Sequence, residues 1–97
     1  MKVFKDLVFE KRSTSIGTRM NFDNGFSISV IAGKYAYSTP REDKDSPDDF
    51  EAFEVAVFAP DGEFTRKFFP EDHHDDVLGW QERGQINALM LLIQSKK

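Results

Sequence analysis

A chain of 97 residues has room for one domain and not for two. With 39% apolar and 31% charged side chains it also lies outside the composition of disordered segments. It holds no cysteine, which excludes disulfides, thiolate nucleophiles and thiolate-bound metals, and its net charge of −4 disfavours nucleic acid as a partner, because phosphate contacts need a basic surface.

The charge is unevenly spread. Residues 1–41 carry seven Lys/Arg against three Asp/Glu, residues 42–76 three against thirteen, and residues 77–97 three against one. Acidity is therefore a property of the middle of the chain, where it can steer a basic partner toward one face. No apolar run approaches the roughly 20 residues that cross a bilayer. Met1–Glu10 alternates charged and apolar residues instead of forming a secretion signal, so a cytoplasmic protein without a membrane partner is expected.

Val3–Lys11 places Val3, Leu7 and Phe9 on one parity and reads as a half-buried strand, followed by a loop over Arg12–Gly17. The clearest local signal is a hairpin: Thr18–Phe22 and Phe26–Val30 both alternate, and Asp23-Asn24-Gly25 joins them. Asn-Gly suits a tight primed turn. Met20, Phe22, Phe26, Ile28 and Val30 are assigned to the core face, with Arg19, Asn21, Ser27 and Ser29 outside.

Lys34–Ser38 reads as a short strand or strand end. The stretch Thr39–Asp49, with two prolines and no apolar residue, reads as a loop. Phe50–Ala59 resumes alternation with Phe53, Val55, Val57 and Ala59 on one side. Glu63–Phe69 follows across Pro60-Asp61-Gly62, which predicts a second hairpin.

Residues 70–76 form a second acidic loop, and Val77–Trp80 a short apolar anchor. Ile86, Leu89, Met90 and Ile93 recur at three- and four-residue spacing, which predicts a C-terminal helix with polar Gln81, Gln85, Gln94 and terminal lysines. Gly84 weakens its first turn, so the helix is expected to begin near Gln85. The fold class that follows is α+β: an antiparallel sheet of about four to six strands, built from two hairpins, packed on one C-terminal helix over residues 1–97.

His73 and His74 are the one obvious metal or acid/base pair. Adjacent histidines in an extended loop point apart, and the spacing is nothing like HExxH, so the preferred reading is a solvated acidic loop. A small metal protein or enzyme using His73, His74 and Asp72 or Asp75 is the alternative. Asp43–Asp49 lacks the glycine and the bidentate glutamate of a calcium loop. Ser13, Thr14 and Ser15 belong to no phosphate-binding or nucleophile motif. No catalytic residue, cofactor or metal ligand is assigned.

The size of Trp80 invites a binding role, since aromatic side chains anchor interfaces, but the preferred reading is a core plug where helix meets sheet, because an indole buries a large area. Tyr35 and Tyr37 share a strand parity beside a polar loop and could form an exposed patch. The candidate interaction surface is Asp43, Asp45, Asp48, Asp49 and Glu51 on the first acidic loop, Glu71, Asp72, Asp75 and Asp76 on the second, and Tyr35 and Tyr37.

Gly17–Ile31 (GTRMNFDNGFSISVI), Phe53–Val57 (FEVAV), Asp61-Gly62 and Asp75–Trp80 (DDVLGW) together resemble small bacteriophage-encoded proteins. Their pattern runs as an F-D-N-G-Y-G-x-S-V hairpin, a Y-E-V-A-V strand, a D-G turn and a D-D-V-I-G segment before a terminal helix. The resemblance covers most of the chain in order. It departs at Ser27, where the pattern has glycine, and over Gln81–Gly84, where it has acidic residues. It implies a phage origin and a similar fold and carries no catalytic residues.

The function expected is that of a non-enzymatic interaction module acting on a host protein through its acidic loops. A self-assembling module is the other alternative, in which a sheet edge or the wide apolar helix face made by Leu91 and Leu92 pairs two copies.

Overall fold

Where the period-two pattern holds on both sides of a turn, the chain forms sheet. The computed structural model describes residues 1–96. Its strands are β1 (Glu10–Lys11), β2 (Ser15–Asn21), β3 (Ser27–Gly33), β4 (Phe53–Phe58) and β5 (Val77–Gln81), and its helix is α1 (Arg83–Gln94). The strands make one antiparallel sheet in the order β1-β2-β3-β4-β5. This is the α+β class expected, and no helix among the described residues is long and apolar enough to cross a membrane.

One face of the sheet carries the core. Ile28, Val30, Phe53, Val55 and Val57 pack with Ile86, Leu89, Met90 and Ile93 of α1, all buried as the spacing predicts. The central pairing sets Met20 opposite Ile28 and Ile28 opposite Val57, so apolar parities of three strands coincide. Ser27 departs from expectation: it is buried beneath Arg19, whose guanidinium donates to Ser27 Oγ at 3.1 Å and lies over the Phe58 ring at 3.9 Å.

The first hairpin turns differently from the primed geometry expected. Phe22 N–H donates to the Phe26 carbonyl (2.8 Å) and Gly25 N–H to the Phe22 carbonyl (3.0 Å), with Gly25 at φ 91°. That is a three-residue loop closed by a left-handed glycine, and it keeps both Phe22 and Phe26 on the core face. Asn24 then ties the turn to α1, donating from Nδ2 to the carbonyls of Ile93 (2.9 Å) and Lys96 (2.8 Å).

The second hairpin repeats this turn, with Gly62 at φ 87°, yet its returning arm is a single bridge between Phe58 and Phe64. Glu63–Phe69 is not the expected strand, because Phe68 and Phe69 both turn toward the core and consecutive strand residues face opposite ways. The partner of β4 is instead Val77–Gln81, the segment read as a mere anchor.

Three other expectations are corrected. Val3–Lys11 is a 3₁₀ turn over Phe4–Asp6 and only a two-residue strand, because Asp6 Oδ2 accepts the Val3 N–H (2.9 Å) and curls the chain. The loop at Arg12–Gly17 shrinks, since Ser15 already pairs with Gly33. Lys34–Ser38 is a turn, held by the buried Ser38 hydroxyl, which accepts the Gly33 N–H (3.1 Å) and donates to the Pro40 carbonyl (2.9 Å).

The acidic stretch from 39 to 49 is a loop as expected, with a 3₁₀ turn at Pro47–Asp49. Helix α1 starts at Arg83, ahead of Gln85. The Gln85 side chain accepts the Glu82 N–H (2.8 Å), and the Arg83 guanidinium donates to the carbonyls of Pro47 (2.7 Å) and Phe50 (2.9 Å). These bonds hold a first turn that Gly84 alone would loosen. Lys97 lies outside the described residues.

Candidate interaction site

Strand β5 contains an irregularity that places its side chains. Phe53 pairs with Gln81 and Val55 with Leu78, so two residues, Gly79 and Trp80, stand opposite the one residue Glu54. The extra residue makes a β-bulge, and Trp80 absorbs it with φ 54°, the one non-glycine residue of the described chain at positive φ. A bulky residue in that region is an outlier, which points to a constraint from its surroundings.

The surroundings are Tyr37. Trp80 N–H donates to the Tyr37 carbonyl (2.9 Å), and the two rings stack at 5.3 Å with 30° between planes. Glu54, opposite the bulge, accepts the Tyr37 N–H at 3.0 Å. A Cβ at Gly79 would sit 2.8 Å from Tyr37 Cβ, so glycine is what lets the tyrosine lie down on the strand. Arg41 stands 5.5 Å from the Tyr37 ring centre.

The reading of Trp80 as a core plug is overturned. It is 53% exposed, because the left-handed bulge turns it out of the core and onto Tyr37. Tyr37 and Tyr35 are exposed as expected, but Tyr37 pairs with Trp80 while Tyr35 stands by Lys34. Sequence reasoning missed Trp80, Gly79, Glu54 and Arg41 as parts of one unit. The available signal was the glycine beside the chain's one tryptophan, since glycine within a strand marks a bulge or a close backbone approach.

The two acidic loops enter the β4–β5 pair at opposite ends. The first leads into β4, where Phe53 pairs with Gln81, and the second leads into β5, where Val77 pairs with Ala56. The acids bracket β5 without forming one cluster.

On the first loop Asp43 bonds Lys11, and Asp45 lies 3.7 Å from the same ammonium. The Asp43 hydrogen bond, aided by the charges of both carboxylates, holds Lys11 above its usual pKa. Asp48 and Asp49 sit in the 3₁₀ turn, which Ser46 Oγ caps by accepting the Asp48 N–H (3.2 Å). Glu51, Glu71, Asp72, Asp75 and Asp76 are exposed.

His73 serves the second loop. Its Nε2 lies 2.7 Å from the Val77 carbonyl and its ring meets the Phe69 ring edge-on. His74 is exposed, and its carbonyl accepts from Arg66 (2.6 Å). Among the described residues no three His, Cys, Asp or Glu side chains gather as a metal site requires.

A groove of about 450 Å³ is lined by Lys2, Asp6, Asn24 and Gln94, among others. Three of these side chains are spent on structure: Asp6 on Val3 N–H, Asn24 on the end of α1, and Gln94 on the backbone of Lys2. No protein-family model, no curated protein and no solved structure matches the chain.

Proposed function

We propose that the chain is a non-enzymatic protein-interaction module that receives a basic segment of a partner protein on the Tyr37–Trp80 platform. The observation that carries this reading is the chain's one tryptophan, 53% exposed and kept there by a left-handed bulge. Burial would stabilise an indole more than exposure does, and tryptophan and tyrosine are the residues on which interface energy concentrates.

The acidic loops at both ends of β5 supply the field that draws in a cation, and an arginine or lysine side chain stacks favourably on an aromatic face. The pattern shared with phage-encoded proteins supports a host protein as the partner.

The test uses Trp80 as its own reporter. Extended peptides rich in arginine and lysine are titrated while the indole emission is followed, with acidic peptides of equal length as controls. Basic peptides are expected to shift the emission, and 1 M salt, where the screening length falls to about 3 Å, to weaken the response. Changing Asp48, Asp49, Asp75 and Asp76 together to Asn is expected to slow association more than it speeds dissociation. Equal calorimetric binding by wild type and Trp80→Ala would remove the platform from the reading.

A further inference from the structure

The Asn24 carboxamide is held at both ends, and only one of its bonds belongs to the hairpin. Its Nδ2 donates to the carbonyls of Ile93 (2.9 Å) and Lys96 (2.8 Å), while its Oδ1 accepts the Phe26 N–H (3.1 Å). The next backbone nitrogen is engaged as well, since Gly25 N–H donates to the Phe22 carbonyl at 3.0 Å. Of the asparagines, Asn21, Asn24 and Asn87, only Asn24 precedes a glycine. Gly25 is exposed and Asn24 lines the groove of about 450 Å³, so water reaches the pair.

Asn-Gly is the pairing most open to backbone attack on a side-chain amide, because glycine carries no Cβ to hinder the approach. In that reaction the Gly25 nitrogen, its proton passed to hydroxide, bonds to Asn24 Cγ. The Cγ–Nδ2 bond breaks, and the amide nitrogen takes a proton from water and leaves as ammonia, closing a succinimide ring. Water then adds to either ring carbonyl and opens it to aspartate or isoaspartate. Nothing is oxidised or reduced, and water is the one co-reactant. The folded arrangement blocks the first step: Cγ cannot turn toward the Gly25 nitrogen while Nδ2 holds the helix carbonyls and Oδ1 holds Phe26.

We infer that Asn24 is a modification site closed by the docked end of α1: it deamidates when the last turn of the helix lifts off the hairpin, and the product keeps the two apart. An aspartate or isoaspartate at 24 has no N–H to give the Ile93 and Lys96 carbonyls, and it puts an anion at the negative end of the helix dipole. A transient opening is thereby made permanent. Tyr37 and Trp80 take no part, so this site and the platform are tested apart.

Peptide mapping by mass spectrometry follows the mass gain of –NH2 becoming –OH at Asn24 during incubation at mildly alkaline pH. That gain separates it from isomerisation of Asp61-Gly62, which leaves the mass unchanged. Each hydrogen bond that must break lowers the open fraction several-fold. The three on the carboxamide are therefore expected to make Asn24 at least about ten-fold slower in the folded chain than in the same chain unfolded in urea.

Ser95→Pro removes the N–H that donates to the Leu91 and Leu92 carbonyls and frays the last turn, whereas the milder Ser95→Gly removes the Oγ bond to Leu92 (2.6 Å). With circular dichroism confirming the fold, Ser95→Pro is expected to deamidate Asn24 several-fold faster than wild type, and Ser95→Gly to fall between them. Wild type deamidated while unfolded and then refolded is expected to show faster amide exchange in the last turn of α1 than the unmodified chain. Equal rates in folded and unfolded wild type, folded Ser95 variants that deamidate at the wild-type rate, or a refolded deamidated chain whose helix end exchanges no faster would each overturn the inference.

Discussion

At Trp80 two effects of similar size oppose each other. A left-handed backbone costs an L-residue about 1–2 kcal/mol, and an aromatic pair contributes about 0.5–1.5 kcal/mol beyond its buried area. Trp80→Ala keeps the φ of 54° and loses the stack on Tyr37, so it is expected to destabilise the fold by about 1 kcal/mol. Trp80→Gly loses the same stack and releases the strain, and is expected to lie within about 0.5 kcal/mol of wild type. Urea denaturation of the three proteins checks the order, and an alanine variant more stable than the glycine variant would show that the bulge holds no strain. Of this, the sequence carried only the hint of Gly79 beside Trp80. Residue size argued for burying the indole, whereas its direction depends on a register shift between β4 and β5, two strands separated by a long connection.

Among the elements, those whose pattern closes locally were legible and those completed from afar were not. The hairpin from Met20 to Val30 and the buried stripe of α1 follow from periods of two and 3.6 that need no distant partner. The missed strand β5 depends on β4, and the N-terminal 3₁₀ turn depends on Asp6 and on Asn87 of α1, whose Oδ1 accepts the Phe4 N–H at 2.7 Å. Of the candidate site, the exposure of Tyr35, Tyr37 and the acids could be read, but not the arrangement that sets the loops at opposite ends of the β4–β5 pair.

Asn24 joins the hairpin to the helix end, and Asn24→Ala is expected to cost about 1–2 kcal/mol for its lost bonds to the last carbonyls of α1. Asn24→Asp is expected to cost more, because it places an anion at the negative end of the helix dipole. Denaturant midpoints, with faster amide exchange confined to the last turn of α1 and residues 22–26, check both.

The link from β1 to the acidic loop responds to pH. Lys11 has a raised pKa in the fold through its Asp43 hydrogen bond, so its contribution is full below the unfolded value near 10.4 and is lost as pH rises through the raised one. The stability difference between wild type and Lys11→Met is therefore expected to be constant from neutral pH to about pH 10 and to vanish above the raised value, and to shrink in salt because the pair is exposed.

The whole molecule closes its core with two pieces drawn from opposite ends of the chain. Helix α1 packs on the buried sheet face, where Phe68 and Phe69 also turn in, and residues 1–9 cover the part at Phe53: the rings of Phe4 and Phe9 lie 5.1 and 5.8 Å from that of Phe53, and Leu7 is buried. The two ends are also bonded to each other, since the backbone of Lys2 donates to Gln94 Oε1 (2.9 Å) and accepts from Gln94 Nε2 (2.7 Å). Burying a large apolar side chain contributes about 1.5–3 kcal/mol, so Phe4, Leu7 and Phe9, two of them only partly covered, together contribute roughly 4–6 kcal/mol. That is comparable with the whole stability of a small domain, about 5–15 kcal/mol. Removal of residues 1–9 is accordingly expected to abolish the cooperative thermal transition, although the central hairpin and α1 remain in the chain. Phe4→Ala alone, at a half-buried ring, is expected to lower the midpoint without abolishing the transition, since a loss of about 1–3 kcal/mol leaves a folded majority. A shortened chain that melts cooperatively near the wild-type midpoint would mean that sheet and helix suffice, and that the N-terminal turn only decorates a core already complete.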